Sequence, residues 1–181
     1  MRSIDVRRSL WILALLAASA LPRAAVATEP APAEIAGTDF PPGIHIEVPV
    51  RLSVAKVVFS IDEPDFSGSE PTVFVWMNQM LDWLEKWHTR RSVIAVMHGD
   101  PSFWALNDAA WDRLNQGTTG NPYRATIEEL SRRGVRFEIC AFAMQQHGFV
   151  NADLLPEVAV TTGALLRFLQ LEQKGYSLLQ P

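Results

Sequence analysis

A second cysteine is missing from this 181-residue chain, which carries Cys140 and no other thiol. A lone cysteine cannot staple the fold to itself, and it excludes the Cys-x-x-Cys pair on which a dithiol oxidoreductase depends. It also argues against a typical structural zinc site, since His45, His88, His98 and His147 show no paired spacing that would complete the ligand set. Neither a metal nor a cofactor is expected. No Gly-x-Ser-x-Gly elbow occurs, which leaves a Ser-His-Asp hydrolase unsupported, and no Gly-x-x-x-x-Gly-Lys loop is present to cradle a phosphate. Charge of one sign is not in large excess either: 16 Lys and Arg stand against 20 Asp and Glu, a formal net charge of -4. A nucleic-acid partner would call for a basic face, so none is expected. Internal repeats and long runs of one charge sign are absent as well.

What is present begins with a basic start (Arg2, Arg7, Arg8), an apolar run from Leu10 to Leu21, and small residues ending in Ala25-Val26-Ala27. That is the three-part layout of a secretory signal over residues 1–27, with cleavage expected near Ala27. The apolar run is well short of the roughly 20 residues that cross a bilayer, so no stable membrane span is expected after processing. Arg7-Arg8 leaves a twin-arginine signal as the alternative route, but the Leu-rich run favours general secretion. Either route leads to the periplasm. The remainder is the size of one domain, and with 48% hydrophobic residues it can bury a core without staples.

Residues 28–54 read as an arm or linker, because Thr28 to Pro49 is rich in Pro, Ala and Gly and has no steady period. An α/β domain is expected over residues 55–181. Val57 to Ile61 suits a strand buried on both faces. Val73 to His88 has Val73, Trp76, Met77, Met80, Leu84 and Trp87 at helical spacing, while Phe74, Leu81 and Trp83 widen the apolar surface. Such breadth fits either a helix deep in a thick core or one that also meets a second subunit. Ser92 to Met97 is the next strand, followed by helical pieces between Pro101 and Leu114 and a break at Gly117 to Gly120. Asn121-Pro122 opens a further helix, with Asn121 as N-cap and Gly134 as its end. Val135 to Cys140 is the third strand, Ala141 to His147 a short helix, and Val158 to Val160 the fourth strand. Thr162 to Lys174 places Leu165, Leu166, Leu169 and Gln173 on one helical face, and a last strand lies near Tyr176 to Leu179. Regular alternation of strand and helix predicts a mostly parallel sheet with helices on both faces.

In such sheets functional groups gather beyond the carboxyl ends of the strands. Two segments fall there: His98-Gly99-Asp100 after the second strand, and Cys140 after the third. The helix starting at Ala141 would aim backbone N–H groups at the sulfur, a setting that favours the nucleophilic thiolate. The alternative is a small apolar side chain filling a strand end. His98 would line the same opening or close a turn through backbone bonds, and His147 would face the opening or the solvent. Asn121 is better explained as a cap than as a ligand.

The segment from Gly134 to Gly148, GVRFEICAFAMQQHG, resembles the cysteine segment of DsrE/DsrF-like proteins. His98-Gly99, Asn121-Pro122, Leu169-Gln170 and Gly175-Tyr176 look like other members, especially an exported branch. The resemblance covers roughly Lys56 to Pro181. It implies a YchN-like α/β fold that assembles as a homotrimer or homohexamer, with the cysteine in a subunit-lined pocket. It further implies that Cys140 accepts sulfane sulfur as a persulfide and passes it to a partner; from their positions, His98, Gly99 and His147 are the candidate substrate-binding residues. Export would separate this chain from cytoplasmic tRNA thiolation, which argues against that role. The expectation is therefore an exported sulfur carrier whose donor or acceptor is another protein. The alternatives are an oligomeric module that binds a small molecule without covalent chemistry, or a structural assembly protein of the same fold.

Overall fold

The computed structural model describes residues 40–180, so the signal read over residues 1–27 and the arm up to residue 39 lie outside the described residues. From residue 40 to Ser53 the chain forms neither helix nor strand. β1 (Val54–Ile61) then buries Val57, Phe59 and Ile61 on one side and Val58 on the other, as a strand covered on both faces must. A short hairpin of β2 (Phe66–Ser67) and β3 (Glu70–Pro71), with no signal in the residue pattern, leads into α1 (Thr72–Lys86). β4 (Arg90–Met97) is followed by a 3-10 turn at Asp100–Ala105, α2 (Asp108–Asn115) and α3 (Arg124–Arg132). β5 (Val135–Cys140) runs straight into α4 (Ala141–His147), and β6 (Val158–Thr161), α5 (Ala164–Glu172) and β7 (Ser177–Leu179) follow.

The five long-range strands form one sheet in the order β6-β5-β4-β1-β7, every pairing parallel. Steps from β1 to β4 to β5 run in one direction and carry α1 and α3 onto one face. The return from β6 to β7 lays α5 over the other, the arrangement that right-handed crossovers impose. On the first face Phe74 and Met77 of α1 and Ile127 and Leu130 of α3 pack on Phe59, Ala95 and Phe137. The Phe74 ring meets Trp104 and Phe137 edge-on, at centroid distances of 5.4 and 6.1 Å. On the second face Val58, Ile94, Val96 and Cys140 lie under Ala164, Phe168 and Leu171 of α5. No helix of the described residues is long and apolar enough to cross a membrane.

Two helix faces and one helix start differ from the pattern expected of them. In α1 the buried stripe is Val73, Phe74, Met77, Leu81 and Leu84, whereas Trp76 is exposed and Trp83 leans on Trp87 at 5.5 Å. In α5 the sheet receives Ala164, Phe168 and Leu171, so Leu165, Leu166 and Leu169 point outward. Both stripes of each helix have helical spacing, and periodicity alone does not say which one meets the sheet. α3 starts at Arg124, with Tyr123 rather than Asn121 at its N-cap position. Asn121 is instead buried, accepting from the Tyr123 N–H at 2.9 Å and donating to the carbonyls of Trp104 (2.8 Å) and Leu106 (2.6 Å). It ties the 3-10 turn to the start of α3.

Asn121→Ala removes both donors from buried carbonyls, and is expected to cost about 2 kcal/mol or more of unfolding free energy. Urea denaturation followed by circular dichroism measures it. A loss below about 0.5 kcal/mol, the usual range for a surface change, would contradict a structural role for this residue.

Candidate functional site

Parallel pairing sets the site. Met97 of β4 lies opposite Ile139 of β5, and Cys140 lies opposite Thr161 of β6. His98 and Cys140 therefore occupy neighbouring positions where the carboxyl ends of the central strands stop. The His98 N–H donates to the Ile61 carbonyl at 2.8 Å, which carries the chain one residue past β4 before it turns. The turn needs glycine. Gly99 has φ 62° and ψ −148°, and a Cβ there would stand 2.6 Å from the Asp62 carbonyl oxygen.

The His98 ring is held on two sides. Its Nε2 is 2.9 Å from Ser60 Oγ, and its edge approaches the Phe168 ring with centroids 5.7 Å apart. Burial lowers its pKa from 6.5, an effect that the nearby Asp62 charge partly offsets. A neutral imidazole, able to donate from one nitrogen and accept at the other, is the favoured form.

Cys140 is 6% exposed. It occupies the N-cap position of α4, yet its side chain makes no capping bond to that helix, contrary to the expected arrangement. The reason is its direction: on β5 it points to the same face as Glu138, toward α5. The donor to sulfur comes from α5 instead, where the Ala164 N–H reaches Cys140 Sγ at 3.4 Å. Ala164 is the first residue of that nine-residue helix, so the helix end adds partial positive charge to the bond.

Cys140 lines a pocket of about 400 Å³. His98, Gly99 and Cys140 line it, together with Phe142, Ala143 and Gln146 of α4 and the Gly163-to-Leu166 start of α5. Three of the four residues singled out in the sequence thus meet in one place. His147 does not line this pocket: its ring stacks on Phe149 at 5.4 Å and meets Phe103 at 4.8 Å. Gln146, one helical turn from Phe142, turns to the opening that His147 faces away from. Gly163 fits where a larger residue would press on Phe142, whose ring lies 3.0 Å from the position of an added Cβ. The pocket rim is strongly apolar, with Phe142 63%, Leu165 77% and Leu166 61% exposed, and Leu169 is exposed further along α5. Among the described residues no group of three or more His, Cys, Asp or Glu gathers to hold a metal ion.

The sequence profile of the DsrE/DsrF-like family matches residues 55–181. This chain belongs to the DsrE/DsrF-like family. Two solved structures resemble it in fold. One is the protein of unknown function MTH1491 from Methanobacterium thermoautotrophicum, 21% identical, with a TM-score of 0.55 and 70% of this chain and 99% of that one covered. The other is the ychN protein from E. coli, 14% identical, with a TM-score of 0.48 and the same coverage. No curated protein matches the chain. The α/β architecture expected from the alternating pattern is thus the architecture of the DsrE/DsrF-like fold, and Cys140 stands at the end of its third long strand.

Because the folded value of His98 lies below the 6.5 of the unfolded chain, the unfolded chain takes up the proton first as pH falls. The contribution of His98 to stability is complete above pH 6.5 and is lost as pH drops through the folded value. Urea melts across that range should show wild type losing more stability on acidification than His98→Gln. Parallel curves for the two proteins would rule the linkage out.

Proposed function

We propose that this DsrE/DsrF-like protein carries sulfane sulfur on Cys140. The observation that supports this most is Cys140 itself, a pocket-lining residue whose sulfur accepts an N–H from the start of α5. A backbone donor and a helix N-terminus both favour an anionic sulfur, which is the nucleophile and the acceptor. In the step proposed, the Cys140 thiolate attacks the outer sulfur of a persulfide donor RS–SH. A new S–S bond forms at Sγ as the donor S–S bond breaks, its electron pair leaves with RS⁻, and Cys140 is left as the persulfide S–SH. The exchange has no net redox change and needs no second thiol. A nearby cysteine would instead collapse the persulfide into a disulfide, and this chain has none.

His98 serves as hydrogen-bond partner to the incoming or outgoing sulfur, and Gly99 leaves the approach clear. His147 keeps at most an indirect part, through Phe103 and Phe149. The layout of residues 1–27 supports an exported, periplasmic protein with a periplasmic donor or acceptor. The exposed apolar side chains of Phe142, Leu165 and Leu166 at the pocket, with Leu169 further along α5, support a homo-oligomer in which a second copy covers the pocket mouth. A trimer or a hexamer fits the family.

Intact-mass spectrometry after exposure to inorganic polysulfide tests the chemistry. Wild type is expected to gain the mass of one or more sulfur atoms, released by reductant, and Cys140→Ser to gain none. No adduct at excess polysulfide would end the carrier reading and leave a module that binds without covalent chemistry.

Assembly is tested separately by size-exclusion chromatography with light scattering. The protein should run as an oligomer, and Leu166→Glu should shift it toward the monomer. A strictly monomeric wild type would remove the proposed role of the apolar rim.

A further inference from the structure

Two residues before Cys140 on the same face of β5, Glu138 is buried and ionisable, and the chemistry described so far leaves it without a part. Arg167 of α5 grips it with two bonds, Nε to Oε2 at 2.7 Å and Nη2 to Oε1 at 2.8 Å. Arg136 adds its Nε at 2.9 Å from Oε1. The Arg167 side chain is itself largely buried, and its remaining Nη1 donates to Gln170. A pair taken out of water this far is weak evidence for stability, because desolvation offsets most of the attraction. What a two-point Arg–carboxylate contact does supply is geometry, since the planar fork fixes both distance and rotation. Arg167 sits one turn after Ala164, so the clamp anchors the very turn of α5 whose leading N–H meets the Cys140 sulfur. The Arg167 N–H also closes that turn, donating to the Gly163 carbonyl at 2.9 Å.

We propose that Glu138 and Arg167 are a positioning pair, which holds the first turn of α5 over β5 so that the Ala164 N–H stays on the Cys140 sulfur. The proposal rests on the reading of Cys140 as a sulfur acceptor and names what keeps that acceptor primed. Apart from the clamp, α5 packs on the sheet chiefly through Ala164, Phe168 and Leu171, apolar contacts that tolerate sliding. A shift of an ångström at the helix start would weaken a bond already at 3.4 Å. His98 lines the pocket beside Cys140, Glu138 with Arg136 and Arg167 lies on the same face of β5, and Tyr176 packs against the apolar cluster that includes Cys140. The residues that α4 brings to the pocket, Phe142, Ala143 and Gln146, carry no charge.

Positioning and plain charge make opposite forecasts here. If only charge mattered, Glu138→Gln would remove an anion near the sulfur and favour thiolate, and Arg167→Lys, which keeps its charge, would change nothing. If the clamp positions α5, each variant loses one of the two bonds and both disfavour thiolate. The experiment follows the rate of Cys140 alkylation by iodoacetamide against pH in the full chain, where a single thiol makes the signal unambiguous. Both variants are expected to react roughly three- to ten-fold more slowly at neutral pH. Their plateau rate at high pH should match wild type. Faster reaction of Glu138→Gln, or an unchanged profile in Arg167→Lys, would overturn the proposal. So would a lowered plateau with an unmoved midpoint, which reports altered access only. Circular dichroism confirms that each variant is folded. Should Arg167→Lys fail to fold, Glu138→Gln alone decides by the sign of its displacement. Alkylation needs no sulfur donor: a displaced profile with no polysulfide adduct in wild type would refute the carrier reading while leaving the clamp in place.

Discussion

Parallel pairing of β4, β5 and β6 in one register is the constraint on which the rest of this structure depends. Because Met97 lies opposite Ile139 and Cys140 opposite Thr161, the chain leaves the three strands at nearly the same level. The groups that follow are gathered without any direct bond between them being needed. His98 arrives from β4, the sulfur from β5, and after β6 a short turn through Gly163 brings the start of α5 back over both. A register slip of one residue would turn the Cys140 side chain to the face covered by α1 and α3, away from α5. Buried side chains on both faces of β1, β4 and β5 make such a slip expensive, and the position of the sulfur is secured by the core.

The two faces of the sheet are not equivalent. α1 and α3 make a thick layer on one, with Phe74, Trp104 and Phe137 interlocked edge to face. The other is covered by α5, a nine-residue helix that spends three side chains on the sheet and turns three leucines outward. Under this thin cover the helix start lies against the sulfur, beside the pocket that Cys140 lines. The cover also leaves apolar area in water, at Phe142, Leu165, Leu166 and Leu169.

Much of the order of elements was legible in the residues. Val57 to Ile61, Ser92 to Met97 and Val135 to Cys140 are short β-branched and aromatic runs between glycines and helical periods, and all three lie in the central strands. Gly134 and Gly148 punctuate the pattern where the chain reverses. Which stripe of a helix meets the sheet was less legible. Leu165, Leu166 and Leu169 have the period and the hydrophobicity of a packing face, and lost that place to Ala164, Phe168 and Leu171. Loop length and the small volume of Ala164 let the helix start sit close to Cys140, and these are facts of packing rather than of period. Asn121 was similarly ambiguous: its side chain suits an N-cap, but two carbonyls from a turn 15 and 17 residues earlier claim it.

By itself the sequence determined that there is one thiol, that it ends a buried strand and precedes a short helix, and that a second strand delivers His98-Gly99 to the same edge of the sheet. Those facts are local, set by residue type, by alternation and by the backbone freedom of glycine. Tertiary structure decided who speaks to the sulfur. The donor is the Ala164 N–H of a distant helix rather than the helix that begins at Cys140 itself, Ser60 holds His98, and Glu138 finds Arg167 from 29 residues away. His147, seven positions from Cys140 in the chain, is turned aside into a stack of aromatic rings. Contacts of this kind arise from sheet order and the direction of side chains on each face, which no spacing along the chain encodes.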